Sequence, residues 1–371
     1  METTEGTTTQ DARVLSAARA EFDPEVTYLD TATLGLPPRR SLAALRQAVD
    51  SWAAGRASAR DYDVPLAAAR RSYAALVGLD PGRVAVGNQV SVFAGLVAAN
   101  LPDRSEVLTV TGEFTSVVFP FLAQAPRGVV VREVPLERLA DAVTSRTAVV
   151  AVSAVQSADG RVADLPALVD AAAAAGARVL LDVTQAAGWL PVDAGAFAWT
   201  VCSGYKWLLA PRGTGFLTVA PDLAGELVPH LAGWYAGERP WESIYGAPLR
   251  LAADARRFDI SPAWHSWVAQ APALDLLTGV GRRLLHEHSV GLADRFRAAL
   301  DLPPGDSAIV SLPVPPEAVD RLRDAGVAAS LRSGRLRLAF HVHNDAADAD
   351  RAADVLVDLV RRGDGAAGSP G

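Results

Sequence analysis

Residues 178–219 of this 371-residue chain read RVLLDVTQAAGWLPVDAGAFAWTVCSGYKWLLAPRGTGFLTV. Short apolar runs in this stretch have the length and composition of buried strands, and polar residues and glycines separate them. Asp182 closes the first run, and Lys206 comes just after the second. Because α/β sheets place ligand-binding groups at the carboxyl ends of their strands, we expect both side chains at that edge of a sheet.

The rest of the chain continues the same alternation of apolar runs and alanine-rich helical stretches. This order predicts an α/β fold with a mainly parallel sheet covered by helices on both faces. The predicted strands are Arg83–Val86, Glu106–Val110, Gly128–Val134, Thr147–Ser153, Arg178–Asp182, Trp199–Cys202 and Gly215–Val219. The predicted helices are Ser41–Trp52, Leu66–Leu76, Val90–Ala99, Leu165–Ala175 and Trp267–His286.

After about residue 265 the pattern changes to that of a smaller α+β domain. A long helix is followed by short strands, Ala308–Leu312 and Leu336–Phe340, and by helices, Pro316–Asp324 and Ala346–Val360. The two ends of the chain are polar or rich in glycine and proline. We therefore predict a disordered N-terminus over residues 1–12, a large domain over 13–262, a small C-terminal domain over 263–363 and a disordered tail over 364–371.

Composition excludes several classes of function. The 42 acidic and 35 basic residues give a net charge of −7, so the chain has no global electrostatic footprint for nucleic acid or an anionic membrane. No apolar run approaches the roughly 18 to 20 residues of a membrane span. The N-terminus lacks the basic and apolar regions of a secretory signal. We expect a soluble, cytoplasmic protein.

Metal binding is also not expected. Cys202 is the only cysteine, which excludes intramolecular disulfides and cysteine-based metal cages. His341 and His343 lie close together in the sequence, but only Asp345 stands at ligand spacing to them, so we interpret both histidines as non-metal residues.

Lys206 is the only lysine among the 35 basic residues, and all the others are arginine. Arginine can replace lysine in surface ion pairs, but a guanidinium neither forms Schiff bases nor deprotonates in proteins. The alternative is chance survival of a surface lysine. The surroundings favour a function that needs an amine: Asp182 lies 24 residues earlier, and Gln185 follows it by three. An amine and a carboxylate at two strand ends are what pyridoxal phosphate needs, one for its aldehyde and one for its pyridine nitrogen.

The spacing D-x-x-Q … S-x-x-K … P-x-G-x-G resembles the cofactor signature of the class V aminotransferases, which are fold-type I pyridoxal-phosphate enzymes. The resemblance covers about residues 26 to 360. The family includes cysteine desulfurases, kynureninases, isopenicillin N epimerase-like proteins and the sulfoxide lyases of ergothioneine biosynthesis. It implies a seven-stranded-type sheet in the large domain, an enzyme that binds pyridoxal 5'-phosphate, an amino-acid substrate and a homodimer with shared active sites.

The resemblance also implies roles for the residues at the strand ends. Lys206 would be the Schiff-base lysine, Asp182 the partner of the pyridine nitrogen and Gln185 the contact to the ring hydroxyl. Ser203 would hold the phosphate. The stretch VAVGNQVSVF, residues 84–93, resembles the first phosphate loop, and its members Asn88, Gln89 and Val90 open a helix whose N-terminus favours an anion.

Further residues match positions around the cofactor and the substrate. Phe114 stands where an aromatic ring stacks on the cofactor, and many relatives have histidine there. Ser157, after Gln156, falls where relatives often have Ser-Asn near the cofactor. Ser261 matches a hydroxyl that reaches the phosphate in the neighbouring subunit. The substrate-binding candidates are Thr33 in the entry segment and Arg337, whose planar fork suits an α-carboxylate.

These residues predict a pyridoxal-phosphate enzyme that acts at the α-carbon of an amino acid or a related amine, with transamination as the reaction. The alternatives are β-elimination at a C–S bond and epimerisation in a specialised pathway. Phe114, and Tyr205 where desulfurases have histidine, argue against a desulfurase. A non-catalytic protein of the same fold would require Lys206 to be dispensable. A nucleotide-binding Rossmann enzyme lacks support because no G-x-G-x-x-G follows the first strand.

Overall fold

A computed structural model describes the backbone of residues 2–315 and 317–366, and the side chains of residues 9–315 and 317–360. Seven of its strands form the central sheet. They are β2 (Val84–Gly87), β3 (Glu106–Val110), β4 (Val130–Val134), β5 (Thr147–Ser153), β6 (Arg178–Asp182), β7 (Trp199–Ser203) and β8 (Gly215–Val219). The short strands outside this sheet are β1 (Thr27–Tyr28), β9 (Ile309–Leu312), β10 (Val327–Ala328), β11 (Ser330–Arg332) and β12 (Arg335–Ala339).

The central sheet has the strand order β2-β8-β7-β6-β5-β3-β4. The neighbours from β4 to β7 pair in parallel, whereas β8 runs antiparallel to both β7 and β2. The predicted α/β class and the mainly parallel seven-stranded sheet are therefore confirmed. Because β5, β6 and β7 are parallel neighbours, their last residues meet at one edge of the sheet.

Ten helices pack around the strands of the described chain. They are α1 (Glu2–Arg19), α2 (Arg39–Ala53), α3 (Asp63–Val77), α4 (Val90–Ala99), α5 (Thr115–Leu122), α6 (Leu165–Ala175), α7 (Trp264–Val280), α8 (Arg282–Ala299), α9 (Glu317–Asp324) and α10 (Ala346–Ala366). Over the residues that the structure describes, none of them is both long enough and apolar enough to cross a membrane.

The sheet separates two apolar clusters, because successive side chains of a strand point to opposite faces. Val149 and Ala151 of β5 belong to one cluster, together with buried residues of α4 and α5. Val150 and Val152 belong to the other, which contains buried residues of α3, α6 and α7. This two-sided burial explains why the strands are nearly continuous apolar runs rather than alternating ones.

A third apolar cluster lies among α8, α9, α10, β9 and β12, and Leu29 from the N-terminal segment joins it. The strand β1 pairs in parallel with β10, and Asp30 forms an isolated bridge with Ala339. Residues 27 and 28 therefore run beside β10 and residue 30 lies beside the end of β12, which brings Thr33 close to Arg337 of that strand. The division that we predicted between residues 262 and 263 stays a prediction.

Several predicted boundaries differ from the structure. Helix α1 occupies most of the stretch where we expected a disordered N-terminus over residues 1–12. The first residues of this helix are polar and show no apolar periodicity, so the sequence pattern does not predict a helix there. Contacts of its second half hold the helix against the protein, since Ala18 is buried in the core and Asp11 pairs with Arg283 at 2.7 Å. At the other end, α10 covers 364–366 of the predicted tail 364–371, whose remaining residues lie outside the described chain, as do Met1 and Pro316.

The helix that we predicted over Trp267–His286 is two helices. Gly281 separates α7 from α8 with φ 87° and ψ 150°, a backbone conformation essentially confined to glycine. No proline or polar turn marks the change of direction at Gly281. The sequence pattern therefore predicts one continuous helix.

A buried ion pair anchors the segment that precedes α7. The Arg70 guanidinium in α3 donates to both carboxylate oxygens of Asp259, at 2.6 and 3.1 Å, and the Val86 amide donates to the same carboxylate at 2.8 Å. Arg70 also donates to the carbonyl of Val84. The pair therefore ties α3 and residue 259 to β2, immediately before the loop that contains Asn88.

We expect Asp259→Asn to lower the free energy of unfolding in urea by about 3 to 5 kcal/mol, because it leaves a buried guanidinium without its charge partner. The matched control is Asp350→Asn, which breaks the exposed Arg295–Asp350 pair and should cost less than about 1 kcal/mol. Equal losses in the two variants would show that the Arg70–Asp259 pair does not anchor this segment.

Candidate active site

A cavity of about 120 Å³ lies at the carboxyl edge of the sheet, beside the ends of β5, β6 and β7. Most of the predicted site residues line it, although they come from widely separated parts of the chain. These are Asn88, Gln89, Val90, Phe114, Ser157, Asp182, Gln185, Ser203 and Lys206. The remaining predicted residues, Thr33, Ser261 and Arg337, are not among those that line it.

Lys206 and Asp182 are both almost fully buried, with exposed fractions of 5% and 4%. Burial lowers the pKa of Lys206 to about 8, although the nearby Asp182 carboxylate opposes that shift. Burial also raises the pKa of Asp182 to about 6, because the protein removes water from the carboxylate. Among the described residues, no carboxylate lies within ion-pair distance of the Lys206 amine. The cavity thus holds an amine that is readily deprotonated and a carboxylate without a hydrogen-bonded cation.

Backbone and hydroxyl contacts fix the position of the Asp182 carboxylate. The Thr184 amide donates to Asp182 Oδ1 at 2.8 Å, and the Thr184 hydroxyl accepts from the Ser203 amide at 3.0 Å. Asp182 therefore faces the cavity from a turn that is bonded to the next strand. Sequence reasoning missed Thr184, although its place two residues after a strand-end carboxylate is the spacing of such a turn.

Gln185 joins three parts of the site through its amide group. Its Nε2 donates to the Ser157 hydroxyl and to the Ala32 carbonyl, each at 3.0 Å, and its Oε1 accepts from Trp207 Nε1 at 2.7 Å. Both amide hydrogens are therefore used within the protein. The predicted contact to a ring hydroxyl would have to use the second lone pair of Oε1, so Gln185 would act there as an acceptor.

Two aromatic rings flank the Lys206 amine. Its Nζ lies 5.2 Å from the centre of the Phe114 ring and 5.7 Å from that of the Tyr205 ring. Burial raises the pKa of the Tyr205 hydroxyl above its ordinary value. Neither neighbour is thus a ready proton acceptor near neutral pH, which leaves Lys206 as the base of the cavity.

Glu113 holds the turn that carries Phe114, and sequence reasoning missed it. This buried carboxylate accepts from the Phe114 amide at 2.6 Å, from the Ser153 amide and hydroxyl at 2.7 and 2.6 Å, and from Gln156 Nε2 at 3.2 Å. The sequence contained a signal for this role, because an acidic residue stands directly before the aromatic residue, just after an apolar strand.

The far end of the cavity suits an anion. Gln89 caps α4 without a side-chain hydrogen bond, so the first amides of that helix remain available to a ligand. A Cβ at Gly215 would lie 3.0 Å from the Gln89 nitrogen, so only glycine lets β8 approach this loop so closely. The exposed Arg212 guanidinium lies 4.8 Å from the centre of the Tyr205 ring and adds a positive charge to the same wall. A phosphate group fits these residues.

Arg337 lies behind the cavity wall and is 1% exposed. Its guanidinium donates to the Thr33 hydroxyl at 2.7 Å and to the carbonyl of Ser157. Burial lowers the pKa of Arg337 to about 10, with Arg332 contributing. Arg335, the alternative on the same strand, is instead occupied by the hydroxyl and the carbonyl of Ser311.

Ser261 and Cys202 lie outside the reach of the cavity. Ser261 is exposed, one residue after Ile260, whose amide donates to the Val86 carbonyl at 2.9 Å. Cys202 is fully buried in β7, and burial raises the pKa of its thiol well above the ordinary value. A persulfide-forming cysteine needs an exposed thiolate, and this residue provides none.

The buried amine, the uncompensated carboxylate, the flanking aromatic ring and the anion-binding end fit pyridoxal phosphate, and comparison with known proteins points to the same cofactor. The family model "Aminotransferase class-V" matches residues 86–312. A kynureninase from Deinococcus radiodurans is 32% identical over 77% of this chain and 74% of its own length. An isopenicillin N epimerase from Streptomyces clavuligerus is 30% identical over 91% of this chain and 96% of its own.

Solved structures show the same fold. The cysteine desulfurase CsdA from Escherichia coli matches 94% of this chain and 98% of its own with a TM-score of 0.79 at 21% identity. The cystine C-S lyase C-DES matches 90% of this chain and 98% of its own with a TM-score of 0.80 at 21% identity. The predicted fold-type I architecture is confirmed. The chain belongs to the class V aminotransferase family of pyridoxal-phosphate enzymes.

Proposed function

We propose that this protein acts at the α-carbon of an amino acid and that its reaction is transamination. The observation that carries the proposal is the buried Lys206 amine, which lies between two aromatic rings, in the same cavity as the Asp182 carboxylate. When bound, pyridoxal phosphate withdraws electrons from the α-carbon bond that breaks. Lys206 would hold the cofactor, and Asp182 would keep a proton on its ring nitrogen.

The same lysine would move the proton. With the substrate in place, the Lys206 amine would remove the proton from the substrate Cα and would hold it on Nζ for return. A pKa near 8 suits this task, since the amine alternates between its two protonation states near neutral pH. Phe114 carries no titratable group, so proton transfer would proceed on the lysine side alone. A single base supports transamination better than epimerisation, which needs proton delivery on both faces of Cα.

β-Elimination is the second candidate. The named relatives of this chain include kynureninases and probable cysteine desulfurases, which are not transaminases by name. Elimination also needs only one base, so the Lys206 geometry is compatible with it. Because the thiol of Cys202 is buried, any sulfur would leave with the departing group and would not pass through a protein persulfide.

We also propose that the enzyme is a cytoplasmic homodimer in which Ser261 contacts the phosphate bound by the second chain. Ser261 is exposed, and the residues before it are bonded to β2, immediately before the anion-binding loop. This exposed position outside the chain's own cavity supports a contact with a neighbouring chain.

The rate at which cofactor-free protein is loaded with pyridoxal phosphate should rise with pH and level off above about pH 8. Burial lowers the pKa of Lys206, so the reactive neutral amine predominates above that pH rather than above 10. The rate of loading is measured from the visible absorption of the bound cofactor. Reduction with borohydride followed by peptide mapping then measures the amount of cofactor that is attached to Lys206. In Asp182→Asn the midpoint should shift to lower pH, since the carboxylate raises that pKa. A midpoint near pH 10 would contradict the buried amine.

With an amino acid and no keto-acid acceptor, we expect one keto acid per active site and no sustained release of ammonia. Transamination stops at this point because the cofactor retains the nitrogen, whereas elimination continues. Deuterium incorporation at Cα in heavy water identifies which amino acids enter. Cys202→Ser should behave like the natural protein. Ammonia release over many turnovers would replace the proposal with the lyase, and exchange without either product would replace it with the epimerase.

Arg337→Lys should weaken amino-acid binding by about 1.5 to 3 kcal/mol, because an ammonium keeps the charge but cannot form two parallel bonds to the α-carboxylate. The measurement is the apparent Kd for a substrate identified by Cα exchange. The visible absorption of the resting enzyme should not change. The control is Arg335→Lys, whose parent side chain is bonded to Ser311. Unchanged binding in Arg337→Lys would mean that another residue holds the carboxylate.

A further inference from the structure

A second arginine reaches the hydroxyl that Arg337 contacts. Arg332 Nη2 donates to Thr33 Oγ1 at 2.8 Å, and Arg337 Nη2 donates to the same oxygen at 2.7 Å. The two guanidinium groups therefore lie next to each other, from neighbouring strands of one hairpin. Like charges in contact oppose folding unless an anion lies between or beside them.

Among the residues that the structure describes, one carboxylate lies near these two cations. Asp30 accepts from the Thr33 hydroxyl at 2.7 Å, but its closest oxygen is 3.8 Å from Arg337 Nη2. Within the described part of the chain, no carboxylate lies within 4 Å of the Arg332 guanidinium. The group formed by Arg332, Arg337 and Asp30 thus carries one uncompensated positive charge.

Both guanidinium groups also keep unused donors. The Nε of Arg337 is buried and has no hydrogen-bond partner among the described side chains and backbone groups. Over the described part of the chain, the half-buried Arg332 donates only to the Leu331 carbonyl and to Thr33, which leaves further N–H groups for a ligand. A buried donor without a partner costs free energy, and a bound anion would remove that cost.

The arginine pair adjoins the cavity. Arg337 donates to the carbonyl of Ser157, and the hydroxyl of Ser157 accepts from Gln185. Ser157 and Gln185 line the cavity together with Lys206. The charges of both arginines lower the pKa of Lys206, so they lie within electrostatic reach of the reactive amine. A substrate held at that amine can extend to both arginines.

We propose that Arg332 and Arg337 bind two different anionic groups of one substrate, an α-amino acid whose side chain carries a second carboxylate. The inference rests on the proposed function, in which Arg337 holds the α-carboxylate. Asp30 and the α-carboxylate then both lie against Arg337, so a neutral amino acid leaves the Arg332 guanidinium without a carboxylate of its own. An acidic side chain supplies the missing negative charge, and Arg332 supplies a planar fork to bind it.

The other arginines near the site do not fit this role. Arg335 is occupied by Ser311 on the neighbouring strand, and the exposed Arg212 guanidinium lies over the Tyr205 ring. Arg332 is thus the cation that remains for the substrate side chain.

Matched ligand pairs that differ only in charge test the proposal. The first pair is S-carboxymethyl-L-cysteine and S-carbamoylmethyl-L-cysteine. Their apparent Kd values for cofactor-loaded enzyme are measured from the change in cofactor absorption. Glutarate is compared with its half-amide, glutaramate, by calorimetry, which requires no reaction. The natural protein should bind the acidic member of each pair about tenfold or more tightly, the scale of a charge-assisted hydrogen bond.

Arg332→Gln should abolish that preference and leave the neutral members within about twofold of the natural protein. Arg335→Gln, the control on the same hairpin, should retain it. The absence of a preference in the natural protein would overturn the proposal, and that comparison needs no variant to fold. Equal weakening of both members in Arg332→Gln would also overturn it, since Arg332 would then serve the α-carboxylate.

A failure of the proposed function looks different. In that case no amino acid exchanges its Cα proton, and Arg337→Lys binds amino acids as the natural protein does. If only the inference about Arg332 is wrong, amino acids still exchange their Cα proton and Arg337→Lys still weakens their binding. The enzyme then binds acidic and neutral side chains equally well.

Discussion

The burial of the Lys206 amine in one cavity with the Asp182 carboxylate is the constraint on which the rest of the site depends. Water would solvate both groups, and the protein replaces it with apolar strands and aromatic rings, so the pKa values move to about 8 and about 6. A cationic ring nitrogen beside Asp182 would restore its negative charge, which is why the site fits its cofactor.

The scaffold fixes this pair through backbone groups more than through other charges. The Thr184 amide aims the Asp182 carboxylate, and Gln185 connects the turn after β6 to Trp207, the residue after Lys206. Glu113 positions Phe114 in a similar way, because the Glu113 carboxylate accepts hydrogen bonds from four donors at or just after the ends of two strands. Each of these residues acts at a strand end, where a parallel sheet leaves backbone groups without ladder partners.

The substrate side is held by a separate set of contacts. His341 Nε2 lies 3.0 Å from the Trp207 carbonyl oxygen, and His343 Nε2 lies 3.1 Å from that of Tyr28. Burial lowers the pKa of His343 to about 4 and that of His341 well below its ordinary value, so both rings are neutral near pH 7. His341 thus ties the segment after β12, and with it Arg337, to the loop that carries Lys206, and His343 ties the same segment to β1. The groups that bind substrate are thereby positioned relative to the group that moves its proton.

The sequence by itself determined the sheet, several strand bounds to the residue, and the cavity residues at the strand ends, because apolar periodicity and the ends of parallel strands are local properties of the chain. It did not determine the break at Gly281 or helix α1, which depend on one backbone conformation and on an ion pair between residues 11 and 283. Nor did it reveal the contact of Arg332 and Arg337 with Thr33, about 300 residues away. Only tertiary structure decided these features, because the turn at Gly281 is a matter of backbone conformation and the other contacts join groups that meet only when distant segments pack together.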